Sequence, residues 1–140
     1  MILVVDASVA AKWFLHFRPE EQDARHALAI LAGIDDGRVR MLQPPHFIAE
    51  MGAVLAREKP QDALADLADL MAVEFELAGG PALYETACKL ALSLGHHLFD
   101  TLYHAVALHT PGAVLVTADH KYFDKAKAVG YIAYLPDLAL

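Results

Sequence analysis

The period of the apolar positions changes along the chain, and each change marks an element. Ile2 to Val5 is an unbroken apolar run, the pattern of a strand buried on both faces. From Ser8 to about Phe17 the anchors Val9, Trp13 and Phe14 recur at helical spacing. Arg18 and Pro19 break that helix. Pro19, with Glu20 and Glu21 behind it, suits the first turn of another helix. Its apolar positions Ala27, Ile30, Leu31 and Ile34 run to a stop at Asp35-Asp36-Gly37.

Val39 to Leu42 reads as a short strand, ended by Pro44-Pro45. Phe47 to Arg57 is a helix with Phe47, Ile48, Met51, Val54 and Leu55 on one face. Pro60-Gln61-Asp62 opens the next helix, Ala63 to about Ala72, whose polar face carries Asp62, Asp66 and Asp69 as a solvated row. Glu74 to Leu77 alternates, as either a short strand or a connection. Gly79-Gly80-Pro81 then punctuates the chain. Ala82 to Leu94 is helical and stops at Gly95, and His96 to Phe99 leads into a helix from Asp100 to about His109. Ala113 to Thr117 is the second clear buried strand. A basic helix with Lys121, Lys125 and Lys127 follows Asp119-His120, and Tyr131 to Leu135 is a last strand. Strands alternating with helices imply an α/β fold, a mainly parallel sheet covered on both faces. The pattern shows no internal repeat, linker or low-complexity segment, so residues 1–140 are expected to form a single domain.

Composition narrows the class. At 56% hydrophobic and 21% charged residues, the chain is expected to be globular rather than disordered. No apolar run approaches the roughly 20 residues needed to span a bilayer. No basic residue precedes the first strand, so no secretory leader is expected. The one cysteine, Cys88, is expected to be a small buried apolar residue, and a lone thiol suits a cytoplasmic protein. A net charge of −7 argues against a broad basic face that holds nucleic acid. It leaves room for a nucleic-acid substrate if metal cations offset acidic ligands or basic groups cluster locally.

Four carboxylates stand in places that need explaining. Asp6 and Asp119 each follow an apolar strand and precede a helix, so a parallel sheet brings them to one edge, where such sheets place their ligand crevice. The plain structural reading makes each a helix cap. Glu50 flanks Val54 at the border of an apolar stripe, where a snorkelling side chain is the plain alternative. Asp100 opens a segment that is apolar almost all round; its place makes it a helix cap at minimum, but a buried carboxylate needs hydrogen bonds or a cation. Gathered at one edge, the four would repel one another and raise one another's pKa. A hard divalent cation, Mg²⁺ or Mn²⁺, resolves that conflict. The chemistry such a site most often serves is phosphodiester hydrolysis.

These residues resemble a known family. Val-Val-Asp-Ala-Ser-Val-Ala-Ala-Lys-Trp-Phe at Val4 to Phe14 is similar to the opening of PIN-domain nucleases, in particular the VapC toxins of prokaryotic toxin–antitoxin pairs. Glu50 after a Pro-rich turn, Phe99-Asp100-Thr-Leu-Tyr-His-Ala-Val-Ala, and Val116-Thr117-Ala118-Asp119 with Phe123 follow in the family's order. No one motif is very specific, but four in order are. The resemblance spans nearly the whole chain and implies a three-layer α/β/α sandwich. It maps the acidic quartet onto Asp6, Glu50, Asp100 and Asp119, binding Mg²⁺ or Mn²⁺, with Ser8 and Thr117 as small polar residues supporting the ligands. It implies an endoribonuclease acting on RNA, a homodimer, and a cognate antitoxin that covers the active site. Two departures are Ile48-Ala49 before Glu50, where a polar residue is more usual, and the extra Asp124.

Other residues have two readings each. Lys12, one turn beyond Ser8, is either a contact to a substrate phosphate or a solvated lysine. His120, next to Asp119, is either at the rim of the site or on the surface. Lys121, Lys125 and Lys127 either guide RNA or complement a helix dipole. Trp13 and Phe14 are core or dimer contacts. The remaining histidines, among them His96, His97, His104 and His109, are assigned structural or surface roles. Adjacent His96 and His97 would diverge on a helix, and His104 and His109 miss the spacing of paired helical ligands. Two other functions stand against the nuclease. One is a catalytically silent PIN-fold module that binds RNA or a partner, and the other is a phosphohydrolase or receiver-like domain using an aspartate as phosphoacceptor.

Overall fold

The computed structural model describes every residue from Met1 to Leu140. Strands β1 (Ile2–Val5), β2 (Arg40–Gln43), β3 (Glu76–Leu77), β4 (Ala113–Thr117) and β5 (Ile132–Tyr134) form one sheet in the order β3-β2-β1-β4-β5. Every pairing is parallel. Parallel neighbours need crossovers, and seven helices supply them: α1 (Ala7–Leu15), α2 (Ala24–Asp35), α3 (Phe47–Glu58), α4 (Ala63–Met71), α5 (Pro81–Leu94), α6 (Leu98–His109) and α7 (His120–Ala126). The chain first steps outward from β1 through β2 to β3, then crosses to β4 on the other side of β1. Right-handed crossovers therefore put α1 to α4 on one face and α5 and α6 on the other. The result is the expected α/β/α arrangement. The strand order reverses between β1 and β4, and crevices at strand C-termini form at such a switch point.

The central strands carry the core. Leu3, Val4 and Val5 in β1 and Ala113 and Val116 in β4 are wholly buried. Burying each larger aliphatic side chain contributes about 1.5–3 kcal/mol. Helix α6 is buried from Thr101 through Ala107, as its all-round apolar sequence implies. Backbone pairing of β1 with β2 covers Ile2↔Arg40 and Leu3↔Met41 only. Beyond it the buried Gln43 side chain takes over, accepting from Val5 N at 2.7 Å and donating to Val5 O at 2.8 Å. No helix is long and apolar enough to cross a membrane.

Several expectations need correcting. Pro19 does not begin a helix: it stands in a turn, and α2 starts only at Ala24, after Asp23 in the left-handed region at φ 59°. Glu21 is held instead by Lys12. Cys88 is exposed, because α5 buries only Leu83 and Ala87 and turns the rest of its surface outward or to partial cover. Asp66 is not a solvated member of a row: it pairs with Lys59 at 2.7 Å with both side chains 15% exposed. Of the two readings of Glu74 to Leu77, the short strand holds for Glu76 and Leu77, which add to β2 at the sheet edge. Trp13 is a core residue, its indole Nε1 donating to Ala27 O at 2.8 Å.

Candidate active site

The C-terminal ends of β1 and β4 deliver Asp6 and Asp119 to the switch point. Asp6 has the extended backbone of a helix N-cap, yet its side chain makes no cap hydrogen bond. Its Oδ2 instead accepts from Ser8 Oγ at 2.5 Å and from Thr117 Oγ1 at 2.9 Å. Ser8 Oγ also accepts from Ala118 N at 3.0 Å, so one hydroxyl ties the loop after β4 to the carboxylate after β1. Asp119 does cap α7, accepting from Tyr122 N at 3.1 Å through Oδ1. Its capping and its place in the cleft are compatible, since a carboxylate has a second oxygen.

Glu50 enters from α3, the helix that follows β2. Its Oε1 accepts from Tyr103 Oη at 3.1 Å, and its Oε2 lies 3.6 Å from His46 Nε2. Asp100 enters from the first turn of α6. That helix begins at Leu98 with His97 as its flanking residue, so Asp100 is inside the helix and caps nothing. Thr101 fixes this turn by donating to Ala87 O of α5 at 2.8 Å.

Ligand atoms of Asp6, Glu50 and Asp100 lie within 4.8 Å of one another, and those of His96, Asp100 and Asp119 do likewise. Asp100 is common to both groups, and the charges of Asp100 and Asp119 both act on Asp6, so the four acids are neighbours at one sheet edge. No lysine or arginine ion-pairs with any of the four. Burial lifts the Asp6 carboxyl to about 6, opposed by the Ser8 and Thr117 hydrogen bonds and reinforced by the charges of Asp100 and Asp119. Burial, then the charge of Asp6, lifts Glu50 to about 7. Burial also pushes the Tyr103 phenol up and the His46 imidazole down. Carboxylates packed this closely without a counter-cation are an oxygen-rich donor set suited to Mg²⁺ or Mn²⁺.

His96 and His46 touch the site without having stood out in the sequence. Gly95, at φ 60°, ends α5 and turns the chain so that His96 packs on Tyr122 with its side chain 8% exposed. Its Nε2 lies 2.7 Å from Asp100 Oδ2 and its Nδ1 lies 3.3 Å from Lys125 Nζ. An ammonium can only donate, which assigns the proton to Nε2 and makes His96 the donor to Asp100. The signal was present as a His and an Asp four residues apart. His46 Nε2 donates to Phe99 O at 2.8 Å and its ring packs on Tyr103.

Lys12 and His120 pair with carboxylates outside the quartet. Lys12 Nζ is bound to Glu21 at 3.1 Å. His120 is 65% exposed, faces Asp124 at 3.3 Å and packs on Tyr134. His104 is structural as expected, buried between Tyr122 Oη and Gly130 O.

A parallel α/β sheet whose switch point gathers carboxylates from β1, α3, α6 and β4 defines a class of acidic, cation-suited α/β proteins. Within that class the family is specific: the PIN domain model matches residues 3–129, and the chain belongs to the PIN domain family. PAE2754 from Pyrobaculum aerophilum is similar in structure with a TM-score of 0.65 and 25% sequence identity, over 97% of this chain and 90% of that one. VapBC-1 from nontypeable Haemophilus influenzae shares the fold at a TM-score of 0.66 and 17% identity, over 98% of this chain and 100% of that one. No curated protein sequence gives a significant match.

Proposed function

We propose that this PIN-domain protein is a divalent-metal-dependent endoribonuclease of the VapC toxin type, restrained by a cognate antitoxin. The observation that carries the reading is the meeting of Asp6, Glu50 and Asp100 within 4.8 Å, with no lysine or arginine ion-paired to them. The sequence resemblance to VapC toxins supports the toxin assignment, and the likeness to the VapBC-1 fold is consistent with it.

Asp6, Asp100 and Asp119 hold Mg²⁺ or Mn²⁺, and Glu50 holds the ion or orients the attacking water. A bound divalent cation lowers the pKa of that water and offsets charge developing on the phosphate. Ser8 and Thr117 aim Asp6 by donating to one of its oxygens and leave the other oxygen for the cleft. Tyr103 holds Glu50 in the same way. His96 steadies Asp100 from behind through its Nε2 proton. Lys12 and His120 serve as substrate contacts only after leaving Glu21 and Asp124; the exposed His120–Asp124 pair holds by less than about 1 kcal/mol, whereas the Lys12 and Glu21 side chains are only 12% and 21% exposed. The functional form is a cytoplasmic homodimer.

The test is cleavage of total RNA by purified, antitoxin-free protein in Mn²⁺, beside Asp100→Asn and a chelator control. Discrete fragments that vanish in both controls are expected. Intact RNA in every lane, with the protein folded, would replace the nuclease with the silent binding module.

A further inference from the structure

Outside the acidic cleft the molecule has one concentration of free positive charge. The chain carries eleven lysines and arginines, and all but Arg25, Lys121 and Lys125 are ion-paired to a carboxylate. Two of those three line one cavity. It measures about 420 Å³ and is walled by Ala91, Gly95, His96, His97, Lys121 and Lys125. Lys127, in the same basic stretch of sequence, is not part of it and pairs with Asp124 at 3.5 Å.

The cavity and the cleft share a wall. His96 lines the cavity, while its Nε2 touches Asp100 at 2.7 Å. Lys125 is set in place from that same wall, donating to Gly95 O at 3.1 Å and to His96 Nδ1 at 3.3 Å. Lys121 is exposed and makes no hydrogen bond or ion pair within the protein. In a chain of net charge −7, two lysines without carboxylate partners beside two imidazoles make a local anion site.

We propose that the cavity bounded by Lys121, Lys125 and His97 is a backbone-phosphate subsite for single-stranded RNA, taking the phosphate next to the one held in the acidic cleft. The proposal rests on the nuclease reading. A polyanionic strand is the ligand that needs both halves: the acids with their cation receive one phosphate, and the ammonium groups receive its neighbour. Phosphate contacts of this kind fix the position and direction of a strand without reading bases. They also explain how an acidic protein holds RNA without a broad basic face.

The test measures binding of a fluorescein-labelled, random-sequence 20-nucleotide RNA by anisotropy in Mg²⁺ across a salt series. The proteins are Asp6→Asn, chosen to bind without cleaving, and the same protein with Lys121→Gln and Lys125→Gln. Loss of the one phosphate contact that the two lysines share is expected to weaken binding about tenfold at 0.1 M salt, and to flatten the logarithmic salt slope by about 0.7, the value for one neutralised phosphate of a single strand. Replacing both lysines by arginine should restore both quantities, which a merely structural role would not require. Equal affinity and slope in the two proteins overturns the subsite, as does absence of RNA binding in both. Lysine-dependent binding of polyglutamate in place of RNA also overturns it and assigns the cavity to a protein partner. Wild-type cleavage of total RNA, run alongside, reports separately on the nuclease reading.

Discussion

Gln43 and Val5 form a two-point bridge in which a side-chain amide completes what the sheet backbone leaves open. The amide oxygen accepts from Val5 N and the amide nitrogen donates to Val5 O, at 2.7 and 2.8 Å, with Gln43 wholly buried. The bridge sits where β1–β2 pairing has ended, and the next residue is Asp6. It therefore sets the backbone from which the first carboxylate projects.

Gln43→Leu keeps the volume but leaves a buried N–H and a buried C=O unpaired, at a cost of about 1–3 kcal/mol for each group. The expected loss of stability is about 2–6 kcal/mol in total. Urea denaturation should show a lower midpoint at an unchanged m-value. A midpoint equal to wild type would mean that water satisfies Val5 and that the bridge is dispensable.

Ser8 and Thr117 are predicted to act through Asp6 rather than on substrate. Each hydroxyl stabilises the ionised carboxylate, and removing either lets burial raise Asp6 further. Thr117→Val or Ser8→Ala should weaken Mn²⁺ binding at pH 7 by about tenfold, as lost support behind a ligand commonly does. Titration calorimetry reads this directly. The deficit should shrink at higher pH, where Asp6 ionises regardless. A pH-independent loss would point to distortion of the site instead.

The parts of this architecture that were legible in the sequence are those set by continuous local pattern. Ile2 to Val5 and Ala113 to Thr117 read as buried strands because nothing polar interrupts them. Asp6 and Asp119 stood out because they end such runs. β3 was ambiguous because two exposed residues at a sheet edge have no buried face to mark them. Cys88 was misplaced because residue type does not say which side of α5 it occupies. Gln43 carried no local signal at all, since its partner is 38 positions away. His96 was discounted by comparison with its neighbour His97, when the informative comparison was with Asp100 one turn on. Long-range satisfaction of polar groups was the layer that pattern could not supply.

Asp100→Asn separates charge from hydrogen bonding. The amide oxygen can still accept from His96 Nε2, so the loss is a negative charge shared by both groups of potential ligands. RNA cleavage should fall by at least about a hundredfold, because a cation misheld at this point loses several kcal/mol of transition-state stabilisation. Metal-free thermal stability should not fall, since removing one of several like charges relieves repulsion. Melting in EDTA checks the second half of this prediction, and a large drop in Tm would show that Asp100 stabilises the fold in its ionised form.

The stability of the metal-free protein should carry the signature of the acidic cleft in its pH dependence. Asp6 at about 6 and Glu50 at about 7 lie above their ordinary values of 3.8 and 4.5, so the folded chain holds these protons more tightly than the unfolded chain. Their contribution is complete below about pH 4 and is lost as pH rises through 6 to 7. His46 and His104 act oppositely, because burial lowers them and their contribution is lost on acidification. The carboxylates of Asp36, Glu58 and Glu76 are lowered by arginine partners and finish titrating below this window. The clean measurement is therefore a difference. In EDTA, the double variant Asp6→Asn/Glu50→Gln keeps the histidines and loses the carboxyls. Its stability relative to wild type should grow by about 3 kcal/mol between pH 5 and pH 8, a few pH units at 1.36 kcal/mol each, discounted for the partial exposure of Glu50. Mn²⁺ should raise the Tm of wild type more at pH 7.5 than at pH 5.5, because the cation competes with the same two protons. A flat difference curve, with an equal Mn²⁺ effect at both pH values, would mean that Asp6 and Glu50 are already ionised in the folded chain and that the cleft does not need the cation to hold its charge.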